Sequence, residues 1–370
     1  MRKTLLFSRK SFLEKHKNIL SDCTSFDSTY PFIDKHIISN LQTNRLDYRE
    51  IEVENLVKHD IIHKIFSISN ITSENISLTF GAQHALFLIL LLLQKKNKTL
   101  LLERYNYIGL DGVLHLCNIS YKTIPMLNDL SFSEIESFFG RIKPDIFYIQ
   151  TTNSNPTTQT LSIDKRRLLI QLSRKYKFQI IEDLTYYPQT FPQFDPIPPL
   201  FEIEPDIISI GSLSKLFCPA LRMGWVIAKR SIIKKLDYIK EINVISHSSI
   251  ICNLVHKLMQ NYSWWHKKTL SIYQNKLNHL VWALETYLPS ISFTQPKGGS
   301  WLWIKVDDNK LRKIINDFRL NKVFFTPGYM YDYSKISKLN NYFFRLSVSE
   351  LDEKQIERGI KKIADSAKLQ

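Results

Sequence analysis

The chain has 370 residues, of which 44% are hydrophobic and 23% are charged. This length and composition suit one large or two ordinary folded domains, each with its own core, and exclude a generally disordered chain. The formal net charge of +15 favours anionic ligands. The basic residues are nevertheless spread along the chain without a basic tail or a nucleic-acid-binding motif, so we expect no nucleic-acid partner.

The cysteines and the apolar stretches indicate the cellular compartment in which the protein resides. The most apolar run, residues 85–93, is too short to cross a bilayer, and the basic start of the chain lacks a signal-peptide core. The histidines contain no HExxH array, so we expect no metal site. Widely separated cysteines without a CxxC pair favour reduced thiols; they are Cys23, Cys117, Cys218 and Cys252. We therefore expect a cytoplasmic protein with no membrane partner.

Short apolar runs alternate with helical patterns over the first two thirds of the chain. Helices are predicted at residues 85–93 and 161–176, between the predicted strands. This alternation predicts an α/β fold with a mainly parallel sheet and helices on both faces. The predicted strands are residues 76–80, 99–103, 145–150, 178–183, 206–210 and 223–228.

The pattern changes after about Ser231 to long amphipathic segments, at residues 232–262 and 265–287. Short strands are predicted at residues 300–305 and 342–347. These elements predict a second, smaller α+β unit. The first 40 or so residues have no strong periodicity, and we expect them to pack with that unit.

Polar residues at the strand ends are the candidates for function, because parallel sheets bind ligands at the carboxyl ends of their strands. Gly81 follows the first predicted strand and precedes a helix, where free amides favour a phosphate; an ordinary turn is the alternative. Asn155 and Pro156 follow another strand, either as a turn or with the Asn155 amide as a ligand donor.

Two carboxylates end the strand at residues 178–183. Neighbouring strand residues point to opposite faces, so one of Glu182 and Asp183 can face a ligand while the other faces structure; a salt bridge is the alternative for either. Lys215 lies among glycine, serine and apolar residues, which favours a buried lysine over a solvated one. Arg222 follows seven positions later.

The run Ser-Leu-Ser-Lys at 212–215, followed by Pro-Ala-Leu-Arg-Met-Gly-Trp at 219–225 and lying 32 residues after Asp183, resembles the class I/II aminotransferase family of fold-type I pyridoxal-phosphate enzymes. The resemblance runs from about Tyr48 to Ser349. It implies the aspartate-aminotransferase fold, with a seven-stranded-type sheet sandwiched by helices in a large cofactor-binding domain (45–250). The small domain would comprise residues 251–370 and an N-terminal arm, residues 1–44.

By this resemblance, pyridoxal 5′-phosphate is the cofactor and Lys215 holds it as a Schiff base, then carries the proton during catalysis. Asp183 would pair with the pyridine nitrogen. Asn155 and Tyr186 would hydrogen-bond the phenolic oxygen, with Asn155 also near the substrate. Tyr107 would stack on the cofactor ring.

The same resemblance assigns the anion-binding residues. Arg345 would clamp the substrate α-carboxylate through two parallel bonds. A homodimer is implied, in which Tyr48 reaches the phosphate bound by the partner subunit. The residues implied to bind the phosphate are Ala82, Gln83, Ser212, Ser214 and Arg222.

Three functions are compatible with these residues. The leading hypothesis is an aminotransferase that moves an amino group between an amino acid and a 2-oxo acid. The second keeps fold and cofactor but is a lyase, a decarboxylase or an amino-acid cyclase, since the fold does not select among these reactions. The third is a catalytically silent relative or a regulatory binding protein that uses its basic surface.

Overall fold

The computed structural model describes residues 24–25, 51–68, 71–94, 98–317, 323–334 and 342–368. The strands in these ranges are β1 (Thr24–Ser25), β2 (Ile76–Thr79), β3 (Thr99–Glu103), β4 (Ser120–Ile124), β5 (Ile146–Ile149), β6 (Gln179–Asp183), β7 (Ile208–Ser212), β8 (Gly224–Ile227), β9 (Ser292–Phe293), β10 (Trp301–Lys305), β11 (Val323–Phe324), β12 (Thr326–Pro327) and β13 (Phe343–Ser347).

The α-helices in the same ranges lie before, between and after these strands. They are α1 (Ile51–Asp60), α2 (Ala82–Leu93), α3 (Leu110–Leu116), α4 (Phe132–Ile142), α5 (Ile163–Tyr176), α6 (Leu200–Ile203), α7 (Arg230–Val244), α8 (Ser249–Gln260), α9 (Tyr262–Tyr287), α10 (Asn309–Asn316) and α11 (Glu353–Lys368). Among the described helices, none is long and apolar enough to cross a membrane.

Seven strands form the large sheet, in the order β2-β8-β7-β6-β5-β3-β4. The strand β8 is antiparallel to both of its neighbours, and the other pairs are parallel. The predicted α/β fold with a mainly parallel seven-stranded sheet is therefore confirmed. Most of these strands are buried along their whole length, as a sheet covered on both faces requires.

Alternating side chains of the strands divide the core between the two faces. Leu100 and Leu102 pack on one face against α2, α3 and α7, while Leu101 packs on the other with residues of α4, α5 and α8. This division follows from the two-residue period of a strand. Each fully buried leucine stabilises the fold by roughly 1.5–3 kcal/mol relative to an exposed one.

A second, smaller sheet has the order β12-β13-β10-β9, with antiparallel pairs throughout. Helices α9 and α11 supply Leu280 and Ile360 to the core under this sheet. The strand β1 pairs in parallel with β11, which places Thr24–Ser25 beside this unit.

The pattern-based prediction lacks several elements, among them the strand β4 and the helix α4. The strand β4 is an edge strand with a largely exposed burial pattern, so it lacks an apolar run and is held by pairing with β3. The start of the helix α4 could have been recognised in the sequence, because Ser131 and Glu134 form a reciprocal capping box at its N-terminus.

The amphipathic segment expected at residues 232–262 is interrupted. The helix α7 ends before Ile245, whose φ of 60° and ψ of −71° are not helical, and α8 begins at Ser249. Between them His247 is buried and stacks on Phe80 at a centroid distance of 4.3 Å. The connection turns inward to bury this ring, which hydrophobic periodicity does not reveal.

Candidate active site

The carboxyl ends of several neighbouring strands meet at one edge of the large sheet. Asp183 is the last residue of β6 and Ser212 the last of β7, while Asn155 follows β5 in a loop. The strand β2 is antiparallel to β8, as β7 is, and so runs in the same direction as β7. Gly81 therefore lies at the same edge, and the four polar segments selected from the sequence converge there.

Lys215 lies in a short 3-10 turn that directly follows β7. The Ser212 hydroxyl caps this turn by accepting a bond from the Ser214 amide at 3.1 Å. The Gln189 side chain donates to the Lys215 carbonyl at 2.7 Å, and the Lys215 amine lies 5.8 Å from the centre of the Tyr186 ring. Burial is the main cause that lowers the pKa of Lys215 to about 7, and the positive charges of Arg345 and Arg222 lower it further. A large share of this amine, about half at pH 7, is therefore neutral, whereas an ordinary lysine is almost fully charged at that pH.

The two adjacent carboxylates point to opposite faces of the sheet, as predicted. Asp183 accepts bonds from the Tyr148 hydroxyl at 2.6 Å and the Thr185 amide at 2.9 Å. Burial raises the pKa of Asp183, and these donors oppose that rise. Glu182 is a structural anchor on the other face, with Arg166 at 3.8 Å. A salt bridge was the alternative to a ligand-binding role for each of these two carboxylates, and it is Glu182 that forms one.

The turn between β2 and α2 forms the proposed anion site. Gly81 has a φ of 84°, a left-handed conformation that favours glycine. The helix α2 begins at Ala82, and the first backbone N–H groups of a helix have no acceptor within the helix. Arg222 donates to the Phe80 carbonyl at 2.8 Å, so its guanidinium lies beside this turn. The Gln83 side chain instead donates to the Gly109 carbonyl at 3.0 Å, which leaves its backbone amide as the anion donor.

Asn155 lies in a buried loop on the other side of the site and precedes a cis peptide bond to Pro156. Its side-chain oxygen is buried and has no hydrogen-bond partner within the described residues. Tyr186 packs edge-on against Trp301 at 4.6 Å. Burial is the main cause that raises the pKa of Tyr107, and the neighbouring Tyr186 raises it further. Tyr107, Tyr186 and Trp301 therefore lie close to one another although they belong to different elements.

Arg345 reaches the site from the smaller sheet. It lies on β13, is 4% exposed and donates to the Tyr331 hydroxyl at 3.0 Å. Its guanidinium also lies 4.9 Å from the Trp301 ring. A buried guanidinium held by an aromatic ring and a hydroxyl presents a planar fork that suits a carboxylate. Tyr48 lies outside the described residues.

Three further residues matter to this site and were not assigned a role from the sequence. Tyr148 supports Asp183 from β5, Gln150 contacts the Asn155 backbone, and Trp301 packs beneath Arg345. Gln150 was detectable, since it is another polar residue at the end of a buried strand. Tyr148 had no such signal because it lies inside an apolar run.

The residues at this edge fit pyridoxal phosphate. They include an amine of lowered pKa for an aldehyde, a buried carboxylate for a ring nitrogen, and an arginine at a helix N-terminus for a phosphate. Two buried polar atoms, Asn155 Oδ1 and Ser214 Oγ, have no partner in the described part of the chain. Buried polar groups normally have a partner, so these atoms indicate a polar ligand.

The described residues contain no group of three side chains suited to holding a metal ion. His59 and His63 do lie four residues apart, with ring centroids 4.2 Å from each other, but no third ligand joins them. The cysteines within the described ranges, Cys117, Cys218 and Cys252, form no disulfide.

Comparison with known proteins gives a family match over most of the chain. The family model "Aminotransferase class I and II" matches residues 24–363. A similar curated relative is an uncharacterized aminotransferase of Saccharolobus solfataricus, 28% identical over 327 residues, which cover 83% of this chain and 79% of the relative.

Another relative, the HTH-type transcriptional regulator NorG of Staphylococcus aureus, is 25% identical over 321 residues, which cover 85% of this chain and 69% of the regulator. Among solved structures, LysN, an α-aminoadipate aminotransferase of Thermus thermophilus in complex with N-(5′-phosphopyridoxyl)-L-leucine, aligns with a TM-score of 0.83 at 22% identity. The alignment covers 95% of this chain and 94% of LysN, and at this identity the likeness concerns the fold.

Proposed function

Because the chain belongs to the class I and II aminotransferase family and is a pyridoxal-phosphate-dependent aminotransferase acting on amino acids and 2-oxo acids, we propose that the site around Lys215 is its active site. The observation that carries this proposal is geometric. One amine, one buried carboxylate and two arginines converge at a single edge of the large sheet. In this arrangement the amine suits the aldehyde of the cofactor and the carboxylate suits its ring nitrogen. The two arginines suit the phosphate and the substrate carboxylate.

The cofactor, when bound, supplies an aldehyde that condenses with amines and a protonated ring that accepts electrons from the substrate α-carbon. Lys215 would hold the aldehyde through its amine; once the substrate amine displaced it from the aldehyde carbon, the released Nζ would be free to accept the proton from the substrate α-carbon. The Asp183 carboxylate keeps the ring nitrogen protonated, because a nearby negative charge favours the charged form of the ring. Asn155 and Tyr186 donate hydrogen bonds to the phenolic oxygen.

The two arginines bind the two anions of the reaction. Arg222, Ser212, Ser214 and the first amides of α2 hold the phosphate, where the helix dipole adds to the arginine charge. Arg345 binds the substrate α-carboxylate in a bidentate manner. Tyr107 packs against the cofactor ring. Positioning of this kind, in a site that excludes water, supplies much of the rate enhancement of an enzyme.

We further propose that the enzyme acts as a cytoplasmic homodimer in which Tyr48 reaches the partner's phosphate site. An apolar stripe on α7 and its C-terminal end supports the dimer: Tyr238, Ile242 and Ile245 are 67%, 71% and 64% exposed. Tyr238 and Ile242 lie four residues apart on one face of α7, Ile245 directly follows the end of the helix, and a second copy would cover these side chains. The cysteines of the described ranges form no disulfide, which supports a reducing compartment.

Replacing Lys215 by alanine tests the proposal directly. The change removes the only side chain assigned to covalent attachment, so borohydride reduction followed by mass spectrometry is expected to find no retained cofactor. Amino transfer is expected to fall at least about 10²-fold. The control is Lys276→Ala, since Lys276 also has a pKa lowered by burial but donates to the Ser349 carbonyl at 3.1 Å. Unchanged trapping in Lys215→Ala would refute the assignment.

The pH dependence of cofactor attachment gives the same test without mutation. With the pKa of Lys215 lowered to about 7, the reactive neutral amine predominates above that pH and the charged amine below it. The rate of attachment to the cofactor-free enzyme is therefore expected to fall as the pH drops through about 7. Stopped-flow absorbance measures this rate.

A titration of the loaded enzyme with a panel of amino acids identifies the reaction. Conversion of the cofactor to its amine form by one amino donor, followed by return with a 2-oxo acid, is the expected result. Release of carbon dioxide or ammonia without that conversion would favour a lyase or decarboxylase. DNA binding without turnover would favour a regulatory protein.

A further inference from the structure

Gln150 directly follows β5 and is 5% exposed. Its side-chain oxygen accepts the amide proton of Asn155 at 3.0 Å, and its nitrogen donates to the Asn155 carbonyl at 3.3 Å. The same nitrogen donates to the side-chain oxygen of Asn106 at 3.0 Å. One carboxamide therefore joins two segments of the site that are 49 residues apart along the chain, counted from Asn106 to Asn155.

Asn106 extends this connection toward the substrate side of the site. It is 1% exposed, and its side-chain oxygen also accepts the Tyr107 amide at 2.8 Å. Its own amide donates to the Tyr331 carbonyl at 3.0 Å. The Tyr331 hydroxyl in turn accepts a bond from Arg345 at 3.0 Å. A continuous series of bonds thus runs from the Asn155 loop to the arginine on β13.

A second connection closes the series on the opposite side. The Pro156 carbonyl, next to Asn155, accepts a bond from the Trp301 indole at 2.8 Å. The Trp301 ring then contacts the Arg345 guanidinium at 4.9 Å. Asn155 and Arg345 are therefore joined by two routes, and Gln150 is the residue of the first route that contacts Asn155.

We propose that Gln150 is a positioning residue of the amino-transfer reaction, whose buried carboxamide sets the place of Asn155 and, through Asn106, of Tyr107 and the Tyr331 support of Arg345. This inference rests on the proposed function, which assigns Asn155 and Tyr107 to the cofactor and Arg345 to the substrate. Gln150 would act through Asn155 and Asn106, the residues that its carboxamide contacts.

A glutamine suits this position because it both accepts and donates in one plane. Methionine has a similar length and no donor, and asparagine has the same amide on a shorter arm that cannot reach both segments. A small displacement of groups that orient reactants lowers the rate strongly. The loss of Gln150 is therefore expected to change the properties of the bound ligands and not only the stability of the chain.

The test compares Gln150→Met with wild type and with a matched control, Gln179→Met. Gln179 begins β6, at the opposite end of that strand from Asp183, and its amide donates to the Asp206 and Ile180 carbonyls at 2.8 Å and 3.1 Å. In Gln150→Met, kcat is expected to fall about 10-fold or more and the amino-acid KM to rise several-fold. The control is expected to stay within about two-fold of wild type, since its bonds lie outside the site.

A spectroscopic measurement separates positioning from folding. Asn155 donates to the phenolic oxygen and favours its anionic form, so displacing Asn155 should raise the pH midpoint of the visible absorption change of the bound cofactor. Gln150→Met is expected to show this upward shift and Gln179→Met no shift. A midpoint and KM equal to wild type in folded Gln150→Met would overturn the proposal. If that variant does not fold, Gln150→Asn is measured in the same way and judged by the same outcomes.

Hydrogen exchange distinguishes a failure of this inference from a failure of the proposed function. In the cofactor-free chain the Asn155 amide is expected to exchange faster in Gln150→Met than in Gln179→Met, because its acceptor is gone. Unchanged exchange would refute the positioning role even if the wild-type enzyme transfers amino groups. Faster exchange in a chain that binds no cofactor would refute the proposed function and leave Gln150 a support of the loop.

Discussion

Neighbouring residues at this site differ in role because of the direction in which each side chain points. Glu182 and Asp183 have the same charge and adjoin each other, yet Glu182 is neutralised by Arg166 while Asp183 faces Tyr148 and the site edge. The period of a strand forces this division. Burial without a counter-charge raises the pKa of Asp183, and a cationic ring nitrogen would compensate that burial.

Arg345 carries the most direct prediction at the residue scale. Replacement by glutamine removes a charged fork from a buried position, and hydrogen bonds to charged groups contribute roughly 1.5–3 kcal/mol. The value of kcat/KM for amino acids is therefore expected to fall about 10- to 100-fold, mainly through KM. Steady-state kinetics against amines without a carboxylate should show no comparable loss. Arg358→Gln, at an exposed position on α11, serves as the control, and an unchanged KM in Arg345→Gln would contradict the assignment.

At the scale of elements, the phosphate turn is held by close contact between strands. Gly224 opens β8 and pairs with Thr79 on one side and Ser212 on the other. A Cβ at Gly224 would lie 2.6 Å from the Gly211 carbonyl oxygen and 2.7 Å from the Gly81 backbone. Backbone atoms in a central strand cannot rotate away, so this close approach fixes the place of the turn that precedes α2.

The expected effect of Gly224→Ala follows from this contact. Overpacking of this kind destabilises by roughly 1–3 kcal/mol, and displacement of the turn should also weaken cofactor binding. Denaturant unfolding and the dissociation constant of the cofactor measure the two effects. Gly140→Ala on α4 is the matched control: its Cβ would meet the Tyr176 hydroxyl, the far end of a side chain, at 2.9 Å, and alanine favours a helix by up to about 1 kcal/mol. Equal effects of the two substitutions would contradict this explanation.

At the scale of the whole molecule, the exposed apolar stripe of Tyr238, Ile242 and Ile245 bears on assembly. Large apolar side chains rarely cluster on a solvated helix face without a partner. The site itself is compact within one chain, since Lys215, Asp183 and Arg345 all belong to the same copy, but the anion turn at Gly81 leaves Arg222 exposed. A second copy that packs on this stripe would cover its apolar side chains.

Ile242→Glu tests the dimer. A carboxylate in the middle of an apolar interface is costly to desolvate, so the substitution is expected to shift the enzyme from dimer to monomer in sedimentation velocity. The control is Leu116→Glu, at a 75% exposed position on α3, and it should leave the sedimentation unchanged. A monomeric wild type, or a variant that stays dimeric, would refute the proposed interface.

Much of the fold was predictable because apolar runs in the sequence report burial directly. The strands β2, β3, β5 and β6 lie within a residue or so of their predicted bounds, since each is buried on both faces. The edge strand β4 was not predicted, because its residues alternate between exposed and partly buried and only pairing with β3 holds it. The break at Ile245 was also missed. It accompanies the burial of His247 against Phe80, a contact between distant residues that hydrophobic periodicity does not reveal.

The amino-acid sequence by itself determined the chemistry of the site: a lysine among small residues, a carboxylate ending an apolar strand, and a glycine before a helix. Only the tertiary structure decided which of these groups meet and what supports them, such as Tyr148 beside Asp183 and Gln150 between Asn106 and Asn155. The physical reason is that local patterns report burial and backbone conformation. Contacts between distant residues depend on which strands pair, and the packing of the entire sheet sets that pairing.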